Sequence, residues 1–396
     1  ALSVFSIRET CLMTKSLRDC HNFHDLRELA RLRLPSPIFH YIDGAADDEV
    51  TYRRNTASFE SCDLVPNVLA GVEEIDMSVN VMGFNLEMPI FCSPTALQRL
   101  FHHDGERAVA LAAEKFGTLF GVSSLGTVRL EEIGQLISTP KMFQFYFHKD
   151  RGLNSSMLQM AKDAHFDILT LTVDTITGGN RERDLRTGFT SPPRLTPKSL
   201  MQFVLKPSWA LNYFFREKFE LSQLRDHIQE GSNIAISVGD YFSSMLDQSM
   251  DWDDVAELKD NWDGRFCLKG IMSPKDARRA VELGADAIMV SNHGGRQLDG
   301  SRSPFDQLGE IMQEVGGDIE VILDGGIQRG SHVLKAMAMG ASACSGGRMY
   351  LYALGAAGRA GVEKALGNLR SEIERDMKLM GVKSFRELSP DMLRHR

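Results

Sequence analysis

The residues of this chain best suited to chemistry recur at the ends of short apolar runs. In order, those ends read Ser93-Pro94-Thr95-Ala96, Ser123-Ser124, Gln144-Phe145-Tyr146, Thr172-Val173-Asp174, Lys269-Gly270, Ser291-Asn292-His293-Gly294-Gly295-Arg296, Asp324-Gly325-Gly326 and Gly346-Gly347-Arg348. Any one of them could open an ordinary loop. Eight polar ends in phase with eight apolar runs are harder to dismiss. The last two point to a kind of ligand: glycines let backbone N–H groups approach a phosphate closely, and Arg348 adds a cation. Polar groups on the first five ends would then face a flat, hydrogen-bonding cofactor extending from that phosphate. Flavin mononucleotide (FMN) has that shape, although composition alone does not single it out.

The elements that must position these ends can be read from the runs themselves. Strands are expected near Ile90–Ser93, Thr118–Val122, Met142–Tyr146, Ile168–Val173, Phe266–Lys269, Ala287–Ser291, Glu320–Leu323 and Ala341–Ser345. Amphipathic segments such as Gly105–Phe116, Pro274–Leu283 and His332–Met339 lie between them. Alternating strand and helix predicts a parallel sheet. Eight repeats close a (β/α)8 TIM barrel, whose chemistry collects at the carboxyl ends of the strands. Between Asp174 and Phe266 lie about ninety residues where one helix would suffice. An insertion, about residues 185–250, is therefore expected above the mouth of the fourth strand. Residues 1–85 read as an N-terminal helical extension and cap, 86–360 as the cofactor-binding barrel, and 361–396 as helices packed outside it.

Composition narrows the function classes. The chain has 396 residues, 43% hydrophobic and 25% charged, with a formal net charge of -8 and no long basic run. Nucleic acid is not an expected partner, because phosphate backbones demand clustered Lys and Arg. The six cysteines are scattered, with no C-x-x-C pair. Neither a disulfide framework nor a metal site is expected, and a reducing, cytoplasmic compartment is. Cys92, Cys267 and Cys344 sit in apolar runs and read as core. No stretch reaches the roughly 18 apolar residues of a membrane span. The opening ALSVFSIRETCLMTK lacks the basic start and long apolar centre of a secretory signal.

One stretch of the insertion stands apart. Residues 199–219, SLMQFVLKPSWALNYFFREKF, are dense in aromatics with Lys206, Arg216 and Lys218 interspersed. Lys206-Pro207 would break a long helix. Two readings stay open. The segment lies in a membrane interface, making the protein peripheral at the inner face of the cell membrane, or its aromatics cover the barrel or a neighbouring subunit.

The run SNHGGRQLDG, Ser291–Gly300, resembles the signature of the FMN-dependent L-2-hydroxy acid dehydrogenase/oxidase family. The likeness extends from about Leu32 to Leu388 and takes in YIDGAADDEVT, SPTAL, FQFY, LTVDT, LKG, LDGG and GGR in matching order and spacing. It implies FMN as cofactor, a small L-2-hydroxy acid such as lactate as substrate, and a homotetramer. It implies His293 as the catalytic base, with Asp174 supporting the imidazolium formed in turnover. It implies Arg181 and Arg296 as the pair that grips a substrate carboxylate, a task suited to the planar guanidinium fork. Tyr41 and Tyr146 match the substrate-orienting hydroxyls, and Lys269 matches a cation beside the flavin that favours its anionic reduced form. Pro94, Thr95, Ala96, Ser123, Gln144 and Thr172 match flavin contacts. Ser291, Asp324, Gly326, Gly347 and Arg348 complete the cofactor set.

Two positions depart from the family pattern. Gln328 replaces a usual arginine after the seventh strand, leaving weaker phosphate binding or compensation by Arg329 as the expectations. Leu125 stands where some members carry a tryptophan over the substrate. The insertion favours a quinone or cytochrome as electron acceptor, with oxygen as the alternative. Two other readings compete. An isomerase barrel is disfavoured by the arginine pair, and a non-catalytic phosphate binder leaves His293 and Asp174 without a task.

Overall fold

Each of the eight apolar runs forms a strand, within two residues of its expected start. In the computed structural model, which describes residues 16–189, 197–224 and 244–396, they are β1 (Ile90–Thr95), β2 (Phe120–Ser123), β3 (Lys141–Phe145), β4 (Ile168–Thr172), β5 (Arg265–Lys269), β6 (Ala287–Val290), β7 (Glu320–Asp324) and β8 (Ala343–Gly346). Neighbours pair in parallel, and β8 returns to β1 through Cys344 opposite Ile90, so the barrel closes. Strand residues are buried nearly throughout, as strands covered by helices on one side and by each other on the inside must be. Cys92, Cys267 and Cys344 are fully buried.

The barrel interior is divided by height. Its lower half is apolar, with Phe91, Leu119, Met142, Ile168, Cys267, Met289 and Ile322 packed together. A hairpin of Val79–Val81 and Phe84–Leu86 plugs this end through Val81, Met82 and Leu86. The two turn residues, Met82 and Gly83, both have positive φ (51° and 87°), the geometry of a tight hairpin turn whose twist matches its strands. Glu320, the first residue of β7, accepts the Met82 amide at 2.8 Å and holds the plug in place. Above this floor the interior turns polar, with Thr170, Ser291, Asp324 and Ser345 buried.

Pairing register assembles that upper layer. Ser123 lies opposite Gln144, Thr172 opposite Lys269, and Asp324 opposite Ser345. Residues distant in sequence, as far apart as Thr172 and Lys269, thus become neighbours simply by ending their strands level.

Helices from the N-terminal segment cover the mouth: Phe23–Arg33, Ser36–Asp43 and Val50–Glu60. Asp43 anchors them. Its buried carboxylate accepts Arg27 Nε at 2.6 Å, Arg183 at 2.7 Å and the Tyr352 hydroxyl at 2.7 Å. One side chain therefore joins the cap, the start of the insertion and the C-terminal helix. That helix, Arg348–Met380, starts directly after β8, earlier than the expected C-terminal unit at 361, and breaks at Ala357–Gly358.

The insertion begins with a short helix, Glu182–Thr187, and includes helices Pro197–Val204 and Pro207–Phe215, separated at Lys206-Pro207 as the proline requires. Its aromatics divide between buried and exposed side chains. Trp209 is buried between Phe203 and Tyr213, at ring separations of 5.1 and 5.0 Å, and its indole donates to the Leu100 carbonyl at 2.8 Å. Met201, Val204, Leu205, Leu211, Phe214 and Phe215 are exposed. Residues 1–15, 190–196 and 225–243, which include Cys11 and part of the expected insertion, lie outside the described residues. Among the described residues, no helix is long and apolar enough to cross a membrane.

Candidate active site

An open cleft of about 1190 Å3 lies over the carboxyl ends of the strands. Tyr41, Pro94, Thr95, Ala96, Ser123, Tyr146, Arg181, Lys269, His293, Arg296, Asp324, Gly326, Gly347 and Arg348 all line it. Four predicted residues stand just behind its walls: Asp174, Gln144, Thr172 and Ser291.

The loop after β6 carries His293 in an unusual backbone conformation. His293 has φ 55°, followed by Gly294 at 65° and Gly295 at 74°. A non-glycine residue held there stores strain of about 1–3 kcal/mol, so the surroundings must impose it. The Ser291 hydroxyl accepts the His293 amide at 3.1 Å, and the Asn292 side chain accepts the Gly295 amide at 3.1 Å. Gly295 has no alternative, because a Cβ there would lie 2.7 Å from the Tyr52 backbone nitrogen. The cap grips the loop in turn: Asn55 and Asn292 exchange amide hydrogen bonds at 2.8 Å, and Asp299 accepts the Thr51 amide at 2.7 Å.

His293 Nδ1 lies 2.9 Å from Asp174 Oδ1, and Thr175 donates its hydroxyl to the same oxygen at 2.9 Å. A carboxylate accepting at Nδ1 puts the imidazole proton there and leaves Nε2 as the basic nitrogen. Burial lowers the His293 pKa, although Asp174 opposes it. Burial works against the charge on Asp174, but His293 and Lys269 outweigh it and its pKa falls. The pair is therefore a neutral imidazole beside an ionised carboxylate.

Arg181 and Arg296 converge on one ring. Their guanidinium carbons lie 5.6 and 4.7 Å from the centre of Tyr41. Arg296 also donates to the Tyr41 and Gly44 carbonyls, at 2.6 and 3.2 Å. Burial, reinforced by the neighbouring Arg181 charge, lowers the Arg296 pKa to about 10. Two like charges held together in a half-buried wall create a demand for an anion.

Lys269 sits on the polar floor. Its ammonium lies 2.9 Å from Asp324 and 3.0 Å from the Ser291 hydroxyl. Burial opposes its charge, but Asp324 and Asp174 prevail and its pKa rises. Asp324 further accepts Ser93 at 3.0 Å, Ser291 at 2.7 Å and Ser345.

These residues fit FMN. Ser123 donates to Gln144 Oε1 at 2.9 Å, yet Gln144 Nε2 and Thr172 Oγ1 are buried with no protein partner. Native proteins rarely tolerate such groups unless a ligand satisfies them. At the far end of the cleft, Gly346 and Gly347 lead into the helix that starts at Arg348, and a helix N-terminus is a ready site for phosphate. Gly326 has φ 76°, and a Cβ there would lie 2.0 Å from the Asn55 carbonyl oxygen. Arg348 donates to the carbonyls of Ile42, Gly44 and Gly294 at 2.8–2.9 Å, so it ties the cap and the His293 loop to this end.

The expectation that Arg329 compensates for Gln328 is corrected. Arg329 points away and pairs with Glu372 at 2.8 Å. Gln328 itself lines the cleft and donates to Thr56 at 3.0 Å. Leu125 also lines the cleft. Sequence reasoning missed Tyr52, Asn55 and Thr56, which also line it. Their signal was helical spacing in the segment following YIDGAADDEVT, which puts Tyr52, Asn55 and Phe59 on one face.

The chain is similar to known proteins over most of its length. An L-lactate dehydrogenase of Allorhizobium ampelinum is 38% identical over 370 residues, covering 93% of this chain and 97% of that protein. Glycolate oxidase 3 of Arabidopsis thaliana is 37% identical over 368 residues, covering 93% of this chain and 94% of that one. The solved structure of the monotopic membrane protein (S)-mandelate dehydrogenase superposes with a TM-score of 0.89 at 31% identity, covering 96% of this chain and all of that one. The model of the FMN-dependent dehydrogenase family matches residues 30–395. With a closed barrel, a phosphate-ready strand end and a paired imidazole in one cleft, the chain belongs to the FMN-dependent dehydrogenase family and is an FMN-dependent oxidoreductase of 2-hydroxy acids.

Proposed function

We propose that the enzyme oxidises a small L-2-hydroxy acid of the lactate type to the 2-oxo acid and passes the electrons to a quinone or cytochrome. The convergence of His293, Arg181 and Arg296 on one cleft carries this reading. Arg181 and Arg296 bind the substrate carboxylate and so fix the position of C2. Tyr41 and Tyr146 orient the substrate oxygens. His293 Nε2 removes a proton from the C2–OH centre, and Asp174 stabilises the imidazolium that results. Ser123, Gln144, Thr172 and Lys269 hold the ring of FMN, while Gly326, Gly347, Arg348 and the helix N-terminus hold its phosphate. When bound, FMN supplies the two-electron acceptor that balances the oxidation.

The exposed row Met201, Val204, Leu205, Leu211, Phe214 and Phe215 supports a peripheral membrane contact, which would bring the cleft to a quinone pool. The likeness to a monotopic mandelate dehydrogenase is consistent with that contact. A second reading, transfer to oxygen, rests on the likeness to glycolate oxidase. One experiment separates them. Flavin absorbance should bleach anaerobically on adding L-lactate and recover slowly in air but quickly with a soluble quinone. Recovery in air within seconds would replace the quinone reading with the oxidase. An absorbance that no 2-hydroxy acid bleaches would end the proposal.

A further inference from the structure

A second cavity, of about 1260 Å3, adjoins the first. Phe101 lines it and stacks against Tyr41 of the cleft at 6.1 Å between ring centres. Its walls come from the end of the first cap helix, the loop after β1, the insertion and the break in the C-terminal helix.

Two of the cations on these walls, Arg33 and Lys206, bond to backbone carbonyls and not to acids. Arg33 donates to the Ala356 carbonyl, and Lys206 donates to the Leu32 carbonyl at 2.6 Å. Among the described residues no carboxylate is paired with either one. Arg99 is 6% exposed and lies 3.7 Å from Glu217, with its terminal nitrogens bound to backbone carbonyls. Its Nε has no partner, nor does the buried Nδ1 of His103. Asp104 is shared between His102 at 3.5 Å and His103 at 3.3 Å, and the buried carboxyl of Glu106 and that of Glu132 lie within the field of Arg99. Burial, helped by Arg31, already lowers the Lys206 pKa, so an anion would relieve this site.

The mouth of the cavity has a different character. Leu205 is on its wall and is 70% exposed. On the two helices that flank it, Val204, Leu211, Phe214 and Phe215 are exposed as well. A site with cations inside and an apolar ramp leading out suits a molecule with a charged head and hydrocarbon tails.

We infer that this cavity binds the phosphate of an anionic glycerophospholipid whose acyl chains run along the exposed face of the insertion. A quinone ring would fit the aromatic wall but has no charge to answer Arg33 and Lys206. The inference rests on the membrane contact proposed above and adds to it a headgroup preference.

The test uses the FMN-loaded enzyme and its variants Lys206→Gln and Arg33→Gln/Lys206→Gln. Both glutamines keep a donor for the carbonyl that each cation now serves. Co-sedimentation is measured with phosphatidylcholine vesicles and with vesicles that also contain phosphatidylglycerol. Wild type should prefer the mixed vesicles, and each cation removed should weaken that preference roughly fivefold. Calorimetric titration with short-chain phosphatidylglycerol below its micellar concentration should saturate for wild type and fail for the double variant. Variants that keep the full preference overturn the assignment. Inorganic phosphate binding as tightly as the lipid overturns it too, in favour of a free anion. Wild type that ignores all vesicles but still binds the soluble lipid would sink the membrane contact and leave the headgroup site standing. Lys206→Gln alone, at the rim, gives the readout should the double variant misfold.

Discussion

His293 Nδ1 and Asp174 Oδ1 stand 2.9 Å apart, and the other carboxylate oxygen of Asp174 is buried without a partner. All of the hydrogen bonding that Asp174 offers thus goes to one oxygen, shared by His293 and Thr175. Replacing Asp174 by Asn would present an amide donor to Nδ1 and move the imidazole proton to Nε2. We expect Asp174→Asn to keep FMN and its colour while anaerobic bleaching slows by roughly 10²–10⁴-fold. His293→Gln should also stay yellow and lose reduction by several orders of magnitude. Near-normal bleaching in either variant would displace this pair from the chemistry.

Acid tolerance follows from the same pair. Burial puts the His293 pKa below its ordinary 6.5. The imidazole therefore stays unprotonated, and able to act as a base, down to a pH lower than for a free histidine. The acid limb of kcat/KM against pH should fall below 6.5. In Asp174→Asn the limb should move lower still, because Asp174 is what raises the histidine against burial. A limb displaced upward would contradict this reading.

Arg181 and Arg296 face each other across Tyr41, with Asp184 3.9 Å from Arg181 as a partial counter-charge. Arg296→Lys loses the planar fork and should raise KM for the hydroxy acid about 10–100-fold, with a smaller change in kcat. A dianion such as oxalate should raise the thermal midpoint of wild type more than that of Arg296→Lys, because only the guanidinium fork holds a carboxylate through two parallel hydrogen bonds. Equal stabilisation of both would show that the anion binds elsewhere.

Gln328 leaves the phosphate end of the cleft one cation short. Gln328→Arg should tighten FMN about tenfold, read by titrating apoprotein with FMN and following flavin fluorescence. The gain should shrink with added salt. Unchanged affinity would mean that the Gly347 turn and Arg348 already saturate the phosphate.

Asp43 ties three segments together, so its loss should be felt at a distance. Asp43→Asn should lower stability by about 2–3 kcal/mol, less than a fully buried pair because Arg27 and Arg183 keep some solvent. It should also raise KM, since Tyr41 is on the same cap helix. For the native carboxylate, burial opposes the charge but Arg27, Tyr352 and Arg183 prevail, and the folded pKa lies below 3.8. Its stabilising effect is complete above the unfolded value and is lost as pH falls through the depressed folded one. Acid unfolding of wild type should therefore begin below about pH 4, and the variant should lack that component.

The barrel was legible because short apolar runs and polar ends alternate with little interference. Strand starts fell within two residues, since each run must be apolar on both faces. That His293, Arg181 and Arg296 belong to one cleft was legible through motif likeness, not through periodicity. What stayed hidden was contact between distant segments. Nothing in the spacing of Asp43, Arg27, Arg183 and Tyr352 announces one cluster, and nothing marks Arg329 for Glu372 instead of a phosphate. The insertion was half legible. Lys206-Pro207 foretold the break between its helices, but which aromatics face inward depends on a surface that only the folded barrel supplies.

The apolar plug and the polar layer above it separate durability from taste. Val81, Met82 and Leu86 seal a base away from the cleft, while Leu125 is buried in the cleft wall. A change at Leu125 can widen or narrow what is accepted without loosening the closed strands underneath. Such an architecture lets the shape of the cleft change through single steps along its wall while the scaffold stays closed.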